Sequence, residues 1–355
     1  MKDLRLAGLD QGRVLVGPES VHLDVTNSCN TNCVTCWDHS PWLREARAPA
    51  WKRRRVECQD IEGLLDDILG LGGLRAVVLS GMGEPFTHPE IYPMIEAVKR
   101  RGLHLTVITN LIAADADRIL DLGVDQLLIG VQGASPESYR AFHPSFQGDE
   151  WERLLAMLDR FAKAGRRYKH VQVICRENAH ELVEMVGLAH RFSASQLNFK
   201  LASLKDGTEA VRVTEEQRSL LLERLVPEAR QEAQRLGVPS NLDVFQAQLA
   251  AGGARTAPIE SIGCFMGHYY SRVLVDGTVL YCCNVEVVVG RLSPTVRFSD
   301  LWNGPEWNAL RQRLRRGEYF PGCSQCGKLN QNVKLAERFG RAFGEARLRA
   351  VTGRG

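Results

Sequence analysis

Short runs of β-branched and aliphatic residues alternate with longer amphipathic segments through the first part of the chain. Six of these runs have the length and composition of strands, at residues 21–25, 76–80, 105–109, 126–131, 171–175 and 197–201. Between them, apolar residues recur with a helical period over residues 61–69, 91–101, 115–122, 151–164 and 181–192. Strands that alternate with helices form a parallel sheet with right-handed crossovers. We therefore expect an α/β fold, either an open doubly wound sheet or a partial barrel, and both place ligands at the carboxyl ends of the strands.

The pattern changes after residue 201. Residues 214–237 predict a helix that opens with a Thr-x-x-Gln capping box, and a stretch rich in Gly and Ala follows it. From residue 262 onward we expect a hairpin that turns at Asp276 and Gly277. The boundary between the α/β pattern with its helical extension and the C-terminal hairpin pattern falls near residue 255. The predicted divisions are an α/β domain over residues 1–205, a helical linker region over 206–260 and a small α+β domain over 261–355.

The composition is that of a globular protein, since 44% of the 355 residues are hydrophobic and 25% are charged. No window approaches the roughly 18 apolar residues that a bilayer requires, and the N-terminus has no continuous apolar stretch, so we expect neither membrane insertion nor secretion. The net charge of +3 is too small to indicate a nucleic-acid partner. The ten cysteines come without an export signal, which favours metal or redox chemistry in the cytoplasm over a disulfide framework.

Three of these cysteines, Cys29, Cys33 and Cys36, closely follow the first predicted strand. Four thiolates would close a tetrahedral zinc site and two could form a redox pair, whereas three leave one position of a cubane cluster unfilled. The C-x3-C-x2-C spacing after a first strand resembles the radical S-adenosylmethionine (AdoMet) superfamily. The resemblance departs in one place, since Thr35 precedes the third cysteine where the family often has an aromatic residue, and Trp37 follows it.

The resemblance implies a partial (β/α)6 barrel and a 4Fe-4S cluster that the three cysteines hold, with AdoMet chelating the fourth iron. Reductive cleavage of AdoMet would then give a 5'-deoxyadenosyl radical. This radical takes a hydrogen atom from a C–H bond that acid–base side chains cannot deprotonate at neutral pH. The alternative is a zinc site that the three thiols complete with His39.

Polar and glycine-containing segments follow the next four predicted strands. SGMGEPFTHPE resembles the family's Gly-Gly-Glu-Pro segment, TNL resembles its Thr-Asn-Gly, and GVQGASPESYR and VICRENAHEL stand at the places of the ribose, carboxylate and adenine contacts. Met82 departs from the second-glycine pattern of the first segment. Taken singly, such polar residues are more often helix caps than ligands. The resemblance implies that the AdoMet-binding residues are Met82, Gly83, Glu84, Asn110, Gln132 and Asn178.

A second set of four cysteines lies near the C-terminus, in the arrangement C-x12-G-x4-C followed by C-x2-C. It resembles the shorter, twitch form of the SPASM auxiliary-cluster domain. The resemblance implies a second 4Fe-4S cluster with a protein thiolate on every iron, and structural zinc is the alternative. Because metal binding and folding are coupled, residues 262–330 should fold poorly without metal. The implied ligands are Cys264, Cys282, Cys323 and Cys326.

Cys283 stands beside a predicted ligand on the hairpin. It could donate a hydrogen atom to a substrate radical, which would make the reaction an epimerisation, or it is an ordinary hairpin residue. Tyr269, Tyr270 and Arg272 on the hairpin, and Lys200 at the end of the sixth strand, could line a pocket. Strand alternation alone leaves the direction of their side chains open.

About 20 residues precede the first predicted strand, too few for the leader-binding domain that peptide-modifying relatives usually carry. We therefore expect a small-molecule substrate such as a carbohydrate, nucleoside sugar or aminocyclitol, which is dehydrogenated or epimerised, and a reductant such as flavodoxin or ferredoxin. Peptide modification is the alternative activity. A non-catalytic metal-binding or electron-transfer protein is the alternative outside the enzymes, and it would keep the cysteines without cleaving AdoMet.

Overall fold

A nine-stranded sheet forms the centre of the computed structural model, which describes residues 3–252, 259–283, 285–323 and 326–353. The strands are β1 Ser20–Asp24, β2 Ala76–Ser80, β3 His104–Thr109, β4 Gln126–Gly130, β5 Lys169–Ile174, β6 Gln196–Leu201, β7 Tyr270–Val273, β8 Thr278–Leu280 and β9 Val288–Arg291. They are arranged in the order β6-β5-β4-β3-β2-β1-β7-β8-β9. The first six match the six predicted strands to within two residues at each end.

Strands β1 to β6 are all parallel, and each pairs with its neighbour along the chain. A doubly wound sheet reverses its strand order at a switch point. Here the order continues in one direction, so the crossover helices cover one face and the other face lines a lumen. The fold is therefore the partial (β/α)6 barrel, which confirms the predicted fold class.

Helices cover the outer face of this barrel and surround the C-terminal strands. Their bounds are α1 Leu4–Gln11, α2 Pro49–Lys52, α3 Cys58–Gly70, α4 Ile91–Arg100, α5 Ala116–Asp121, α6 Pro136–Phe142, α7 Glu150–Lys163, α8 Leu182–Arg191, α9 Glu215–Leu220, α10 Val226–Leu236, α11 Leu242–Ala250, α12 Met266–Tyr269, α13 Phe298–Asn303, α14 Pro305–Arg315, α15 Leu329–Phe343 and α16 Glu345–Thr352. Within the described ranges, none of them combines the length and the apolar composition that crossing a bilayer requires.

The two faces of the barrel strands differ in polarity. Residues at alternate positions, such as Leu23, Leu79 and Val107, are buried in the core between the sheet and the helices. The residues between them face the lumen, because successive side chains of a strand point to opposite sides. On β1 the lumen-facing residues are the polar His22 and Asp24. The helix side of the sheet is therefore the hydrophobic core, and the lumen side is available for chemistry.

The C-terminal hairpin continues the same sheet. Strand β7 lies parallel to β1, with Tyr270 opposite Ser20, and β8 and β9 extend the sheet in antiparallel fashion. The chain turns at Asp276 and Gly277, as predicted, and Gly277 takes a φ of 82° that favours glycine. Strand β1 therefore has a parallel neighbour on each side, β2 from the barrel and β7 from the cysteine-rich C-terminal region.

Helices α9 to α11 fall in the region predicted to be a linker, where α10 packs on α8 and α11 packs on β6. Thr214 and Gln217 form the predicted capping box. A π-helical turn at Leu221–Leu225 interrupts the predicted single helix just before Pro227, whose nitrogen has no hydrogen to donate. The predicted boundary near residue 255 lies outside the described residues, so the division into domains stays a prediction.

Candidate functional site

The loop after β1 carries the cysteine triplet at the carboxyl edge of the sheet. In this loop the Cys36 N–H donates to the Cys33 carbonyl oxygen at 3.0 Å. Burial raises the pKa of all three thiols, to about 12 for Cys29, and other thiols of the triplet raise the pKa of Cys29 and Cys33 further. Half-buried thiols so close together ionise at neutral pH only when a cation compensates their charge. The donor set therefore fits an iron–sulfur cluster.

The loop after β2 packs directly against the cysteine loop. The Glu84 N–H donates to the Ser28 carbonyl oxygen at 2.8 Å. A Cβ atom on Gly83 would overlap that same carbonyl, and one on Gly81 would overlap the backbone of the same cysteine loop. Glycine is therefore required at both positions for the two loops to approach each other. Met82, which departs from the family pattern, stands between these two glycines.

Glu84 is buried, and its carboxylate joins the ends of β2 and β3. Its Oε1 accepts from the Phe86 N–H at 3.1 Å and from the Thr109 hydroxyl at 2.6 Å, and its Oε2 accepts from the Asn110 N–H at 2.7 Å. Burial raises its pKa to about 7, although these hydrogen bonds act in the opposite direction. The described contacts make Glu84 a positioning residue, and the predicted direct contact with AdoMet stays a prediction.

Asn110 connects the end of β3 to the cysteine loop. Its Nδ2 donates to Asn30 Oδ1 at 2.8 Å, and its Oδ1 accepts from the Ile112 N–H at 3.0 Å. The next residue, Leu111, has a φ of 72°, a left-handed conformation that costs a non-glycine residue roughly 1–2 kcal/mol. The family's Thr-Asn-Gly pattern has glycine at this place. Leu111 is fully buried, and the burial of its side chain offsets the cost of its backbone.

Gln132 and Asn178 form hydrogen bonds that join the end of β4 to the end of β5. Gln132 has a φ of 62°, and its Oε1 accepts from the Val173 N–H at 2.6 Å. Asn178 donates from Nδ2 to the carbonyls of Gln132 and Val173 at 3.0 and 2.9 Å, and its Oδ1 accepts from the Cys175 N–H at 2.9 Å. Both side chains therefore hold protein groups, and their predicted role toward AdoMet stays a prediction.

His39 was the alternative fourth ligand for a zinc ion. Its Nε2 lies 3.0 Å from the Asn27 carbonyl oxygen, and the backbone of Met82 also hydrogen bonds to the ring. The ring therefore links the cysteine loop to the loop after β2. Among the described residues, no three His, Cys, Asp or Glu side chains converge as they would around one metal ion. Thiolates that bind different irons of a cubane are not required to meet at one point.

The second cysteine set lies in a small hydrophobic core of the C-terminal region. Cys283 hydrogen bonds with the thiols of Cys282 and Cys326, which lowers the pKa of Cys283 and raises that of Cys326. Cys264 is close enough to Cys323 and Cys283 for their charges to raise its pKa beyond the effect of burial. The sequence predicted four thiols here, and the structure brings five together. The role of Cys283 as hydrogen donor stays a prediction.

The structure shows where the side chains of the predicted hairpin residues lie. Tyr269 ends α12 and is fully buried in the C-terminal core, so it does not line a pocket. Arg272 faces the lumen and binds Asp24 with both ends of its guanidinium, at 3.0 and 2.7 Å. Tyr270 faces the same way, and its hydroxyl lies 3.1 Å from Nδ1 of His22. The Lys328 ammonium stands 4.0 Å above the Tyr270 ring. The sequence analysis missed His22, Asp24 and Lys328, although two polar residues at alternate positions of a buried strand were a usable signal for the first two.

The segment after the triplet closes the mouth of the barrel on the β6 side. Trp37 donates from its indole N–H to the Ser203 carbonyl at 2.7 Å, and the Lys205 ammonium lies 4.5 Å from the Trp37 ring centroid. The Arg44 N–H donates to the Asp206 carbonyl at 2.9 Å. Trp37, the aromatic residue that follows the third cysteine, therefore anchors the cysteine loop across the lumen mouth.

Two family models match the chain. The radical SAM superfamily matches residues 23–189, and the SPASM iron-sulfur cluster-binding domain matches residues 264–327. The chain therefore belongs to the radical SAM superfamily and carries a C-terminal iron–sulfur domain of the SPASM type. Its cofactors are a 4Fe-4S cluster, AdoMet and an auxiliary iron–sulfur cluster.

Curated relatives agree with this assignment, and solved structures share the fold. The chain is 23% identical to an AdoMet-dependent heme synthase of Methanosarcina barkeri, over 87% of this chain and 88% of the relative. It is 26% identical to a PqqA peptide cyclase of Rhizobium meliloti, over 87% and 83%. The structure of Streptococcus suis SuiB bound to S-adenosylmethionine has a TM-score of 0.66 and 15% identity, over 91% of this chain and 74% of SuiB. SuiB has also been solved with its precursor peptide SuiA.

Proposed function

We propose that the chain abstracts a hydrogen atom from a small polar substrate held in the barrel lumen, using the radical that reductive cleavage of AdoMet supplies. One observation supports this most strongly. The loops after β1, β2 and β3 are hydrogen bonded into a single site around the cysteine triplet, at the edge of the sheet where parallel barrels bind their ligands.

The contacts support the residue roles in this proposal. Cys29, Cys33 and Cys36 hold the first cluster and leave one iron for AdoMet. The backbone of residues 81–84 and the end of β3 would hold AdoMet, because the glycine spacing brings that backbone against the cysteine loop. Glu84 acts through the segments it positions.

The substrate we propose is a carbohydrate, nucleoside sugar or aminocyclitol, which is dehydrogenated or epimerised. The polar lumen supports a polar substrate, since His22, Asp24, Tyr270 and Arg272 form a linked polar group there. In an epimerisation, Cys283 would return a hydrogen atom to the substrate radical. The proposal includes a cytoplasmic location and flavodoxin or ferredoxin as the reductant.

Peptide modification is the second candidate. The relative in Rhizobium meliloti is named for a peptide substrate, and SuiB binds a precursor peptide. The relative in Methanosarcina barkeri, however, is named for heme synthesis. Relatives of similar coverage are therefore named for chemically different substrates. The substrate of this chain has to be inferred from the residues of its own lumen.

Anaerobic reconstitution followed by reduction with dithionite tests the proposal. With AdoMet present, we expect 5'-deoxyadenosine by mass spectrometry. A deuterium-labelled aminocyclitol and a deuterium-labelled peptide should then be compared, because the true substrate transfers its label into 5'-deoxyadenosine. Absence of 5'-deoxyadenosine with every candidate would contradict the proposal and favour a non-catalytic iron–sulfur protein. Label transfer from the peptide alone would favour the second candidate.

A further inference from the structure

The segment between the cysteine triplet and α3, residues 37–57, folds back onto the loop that carries the triplet. Asn27 stands two residues before Cys29. Its backbone N–H donates to the Arg54 carbonyl oxygen at 2.9 Å, and its Nδ2 donates to the Trp51 carbonyl oxygen at 3.2 Å. The far end of the segment therefore lies directly against the start of the cysteine loop.

Side chains fix the segment at a second place, just after the triplet. Arg47 donates from Nε to Asp38 Oδ1 at 2.8 Å, and its guanidinium lies 5.2 Å from the Trp51 ring centroid. The Trp51 ring also packs against the His39 ring, with centroids 6.1 Å apart. The segment is therefore held to the cysteine loop on both sides of the triplet.

The positive charge of the chain is concentrated in this segment. Residues 37–57 hold six of the 45 basic residues and three of the 42 acidic residues. The remainder of the chain is therefore balanced, and the net charge of +3 arises here. We call residues 37–57 the basic segment. Its cations are Arg44, Arg47, Lys52, Arg53, Arg54 and Arg55.

Three consecutive arginines of the basic segment are exposed and weakly paired. The side chains of Arg54 and Arg55 are 52% and 53% exposed. Their nearest acidic oxygens, on Asp276 and Glu57, are each 3.9 Å away, which is too far for a hydrogen bond. Arg53 forms no ion pair with any residue that the structure describes. These charges are therefore available to a partner.

The basic segment also presents aromatic surface. Trp42 is 49% exposed and Trp37 is 39% exposed. Exposed aromatic residues beside arginines are typical of surfaces that bind other proteins. Asp38, Glu45 and Glu57 interrupt the positive charge, whereas a surface that follows a phosphate backbone carries a continuous basic stripe. The composition therefore favours a protein partner over a nucleic acid.

We propose that the basic segment is the docking surface for an acidic electron-carrier protein, which reduces the cluster that the triplet holds. This inference rests on the proposed function, because each reductive cleavage of AdoMet consumes one electron from outside the chain. The carrier loses that electron and the cluster gains it. Electron transfer weakens steeply with distance, so the carrier has to dock close to the triplet. Complexes of this kind bury little surface and depend on charge complementarity.

Calorimetric titration of the reconstituted holoenzyme with an acidic flavodoxin tests this surface. In wild type the Kd should rise severalfold between about 50 mM and about 300 mM salt, because the attraction between exposed charges is screened. In Arg53→Gln/Arg54→Gln the Kd at low salt should rise by about tenfold, since two charges of the docking surface are lost. The thermal midpoint should stay close to that of wild type, because Asn27 is bound by the Arg54 backbone and not by its side chain.

Arg166→Gln/Arg167→Gln is the matched control. These two consecutive arginines are also exposed, and they precede β5 at the amino-terminal end of the barrel strands, the edge opposite to the triplet. The control makes the same change in net charge at a different place. Its Kd for flavodoxin should stay within about twofold of wild type, since screened charges act over short distances.

A second readout separates docking from the chemistry of the site. In Arg53→Gln/Arg54→Gln the formation of 5'-deoxyadenosine should fall with flavodoxin as reductant and stay at the wild-type level with dithionite. No 5'-deoxyadenosine from wild type with dithionite would remove the proposed function, whereas the Kd values judge the docking surface alone.

Three outcomes would overturn the inference. The first is that flavodoxin does not bind the wild-type holoenzyme, and the second is that it binds the Arg53→Gln/Arg54→Gln variant and wild type equally well. The third concerns a single-stranded RNA titrated in place of flavodoxin. If the variant loses affinity for the RNA and keeps its affinity for flavodoxin, the basic segment is a nucleic-acid surface.

Discussion

The two cysteine sets differ in what holds them in place. The loop of the triplet is fixed by backbone hydrogen bonds to other elements, such as those from the Val34 N–H to the Phe142 carbonyl at 3.0 Å and from the Asn27 N–H to the Arg54 carbonyl at 2.9 Å. The cysteines of the second set instead pack against the small core that α12, α15 and α16 form with α1. The first set is thus held by backbone hydrogen bonds to the barrel, and the second set packs on the smaller core, with Cys264 and Cys282 also bordering the larger cluster.

This difference has a thermodynamic consequence. Two large hydrophobic clusters lie mostly within the barrel, although the larger one also includes C-terminal residues between Val273 and Leu314, so the barrel should fold before iron is added. The C-terminal region has a smaller cluster, and half-buried thiols form part of its boundary. We expect metal binding by those thiols to contribute directly to the folding of that region. The same ligand chemistry should therefore supply reactivity in one region and stability in the other.

The largest expected effect comes from the triplet. Cys33→Ala should lower the formation of 5'-deoxyadenosine by at least roughly three orders of magnitude, because the cofactor performs the difficult step. The far-ultraviolet circular dichroism and the thermal midpoint should stay close to those of wild type, since the loop is held by its backbone. Cys58→Ala, at a half-buried cysteine outside both sets, is the control and should keep wild-type activity. A Cys33→Ala protein that unfolds would contradict the comparison.

The second set should show the opposite behaviour. Cys264→Ala should lower the free energy of unfolding of the C-terminal region by roughly 3 kcal/mol or more, because metal binding is coupled to folding. Hydrogen exchange followed by mass spectrometry should show faster exchange in α15 and α16 and unchanged exchange in β2 to β4. Unchanged protection in α15 would show that this region folds without its metal, and the distinction between the regions would then be lost.

The hydrogen bonds that join the ends of β4 and β5 can be removed at Asn178. Asn178→Ala removes the part-buried hydrogen bonds to the Gln132 and Val173 carbonyls and the buried one from the Cys175 N–H. We expect a loss of about 2–4 kcal/mol in the free energy of unfolding, measured by urea denaturation. Asn303→Ala, at an exposed asparagine of α13, should change it by less than about 0.5 kcal/mol. If Asn178→Ala changes the free energy of unfolding no more than the control does, the stability of the barrel does not depend on these hydrogen bonds.

Acidification should have the smallest of the expected effects, and it should lower the folding stability of both regions. Burial lowers the pKa of His170 in β5 to about 4, and burial together with Arg311 and Arg315 lowers that of His268 in α12 to about 3. Each histidine is neutral when buried and gains a proton on unfolding, so its stabilising contribution is complete above pH 6.5 and falls as the pH drops below that value. Between pH 7 and pH 5 each should account for a loss of about 2 kcal/mol.

His170→Leu and His268→Leu separate these two contributions. Each variant should show a flatter dependence of the free energy of unfolding on pH than wild type, by the amount that its histidine contributed. Denaturation curves at pH 7, 6 and 5 measure this. If neither substitution changes the slope, the acid sensitivity comes from other groups.

Local pattern was sufficient for much of the fold. Strand β2 follows from the apolar run Val77, Val78 and Leu79, and the capping box at Thr214 and the turn at Gly277 follow from short-range hydrogen bonding and backbone preference. The candidate site was partly predictable for the same reason. The triplet lies on one loop, and the second set has a recognisable spacing from Cys264 to Cys326, so both cysteine sets could be identified without a structure.

Contacts between distant segments could not be predicted in this way. Nothing local indicates that β7 would pair with β1, because strand pairing depends on the whole fold. The neighbours of Cys283 follow from how the residues after Phe320 return to the hairpin. The engagement of Glu84 with Thr109 likewise required the ends of two strands to be brought together.

The sequence by itself therefore determined the elements, the two thiol sets and the class of chemistry, because these are set by residue type and spacing along the chain. Only the tertiary structure decided the direction of the Lys200 and Arg272 side chains, the fifth thiol of the second set and the hydrogen-bond partners of each strand-end polar group. The physical reason is that the register between strands selects which alternate residues face the lumen, and that register is fixed by packing over the whole sheet.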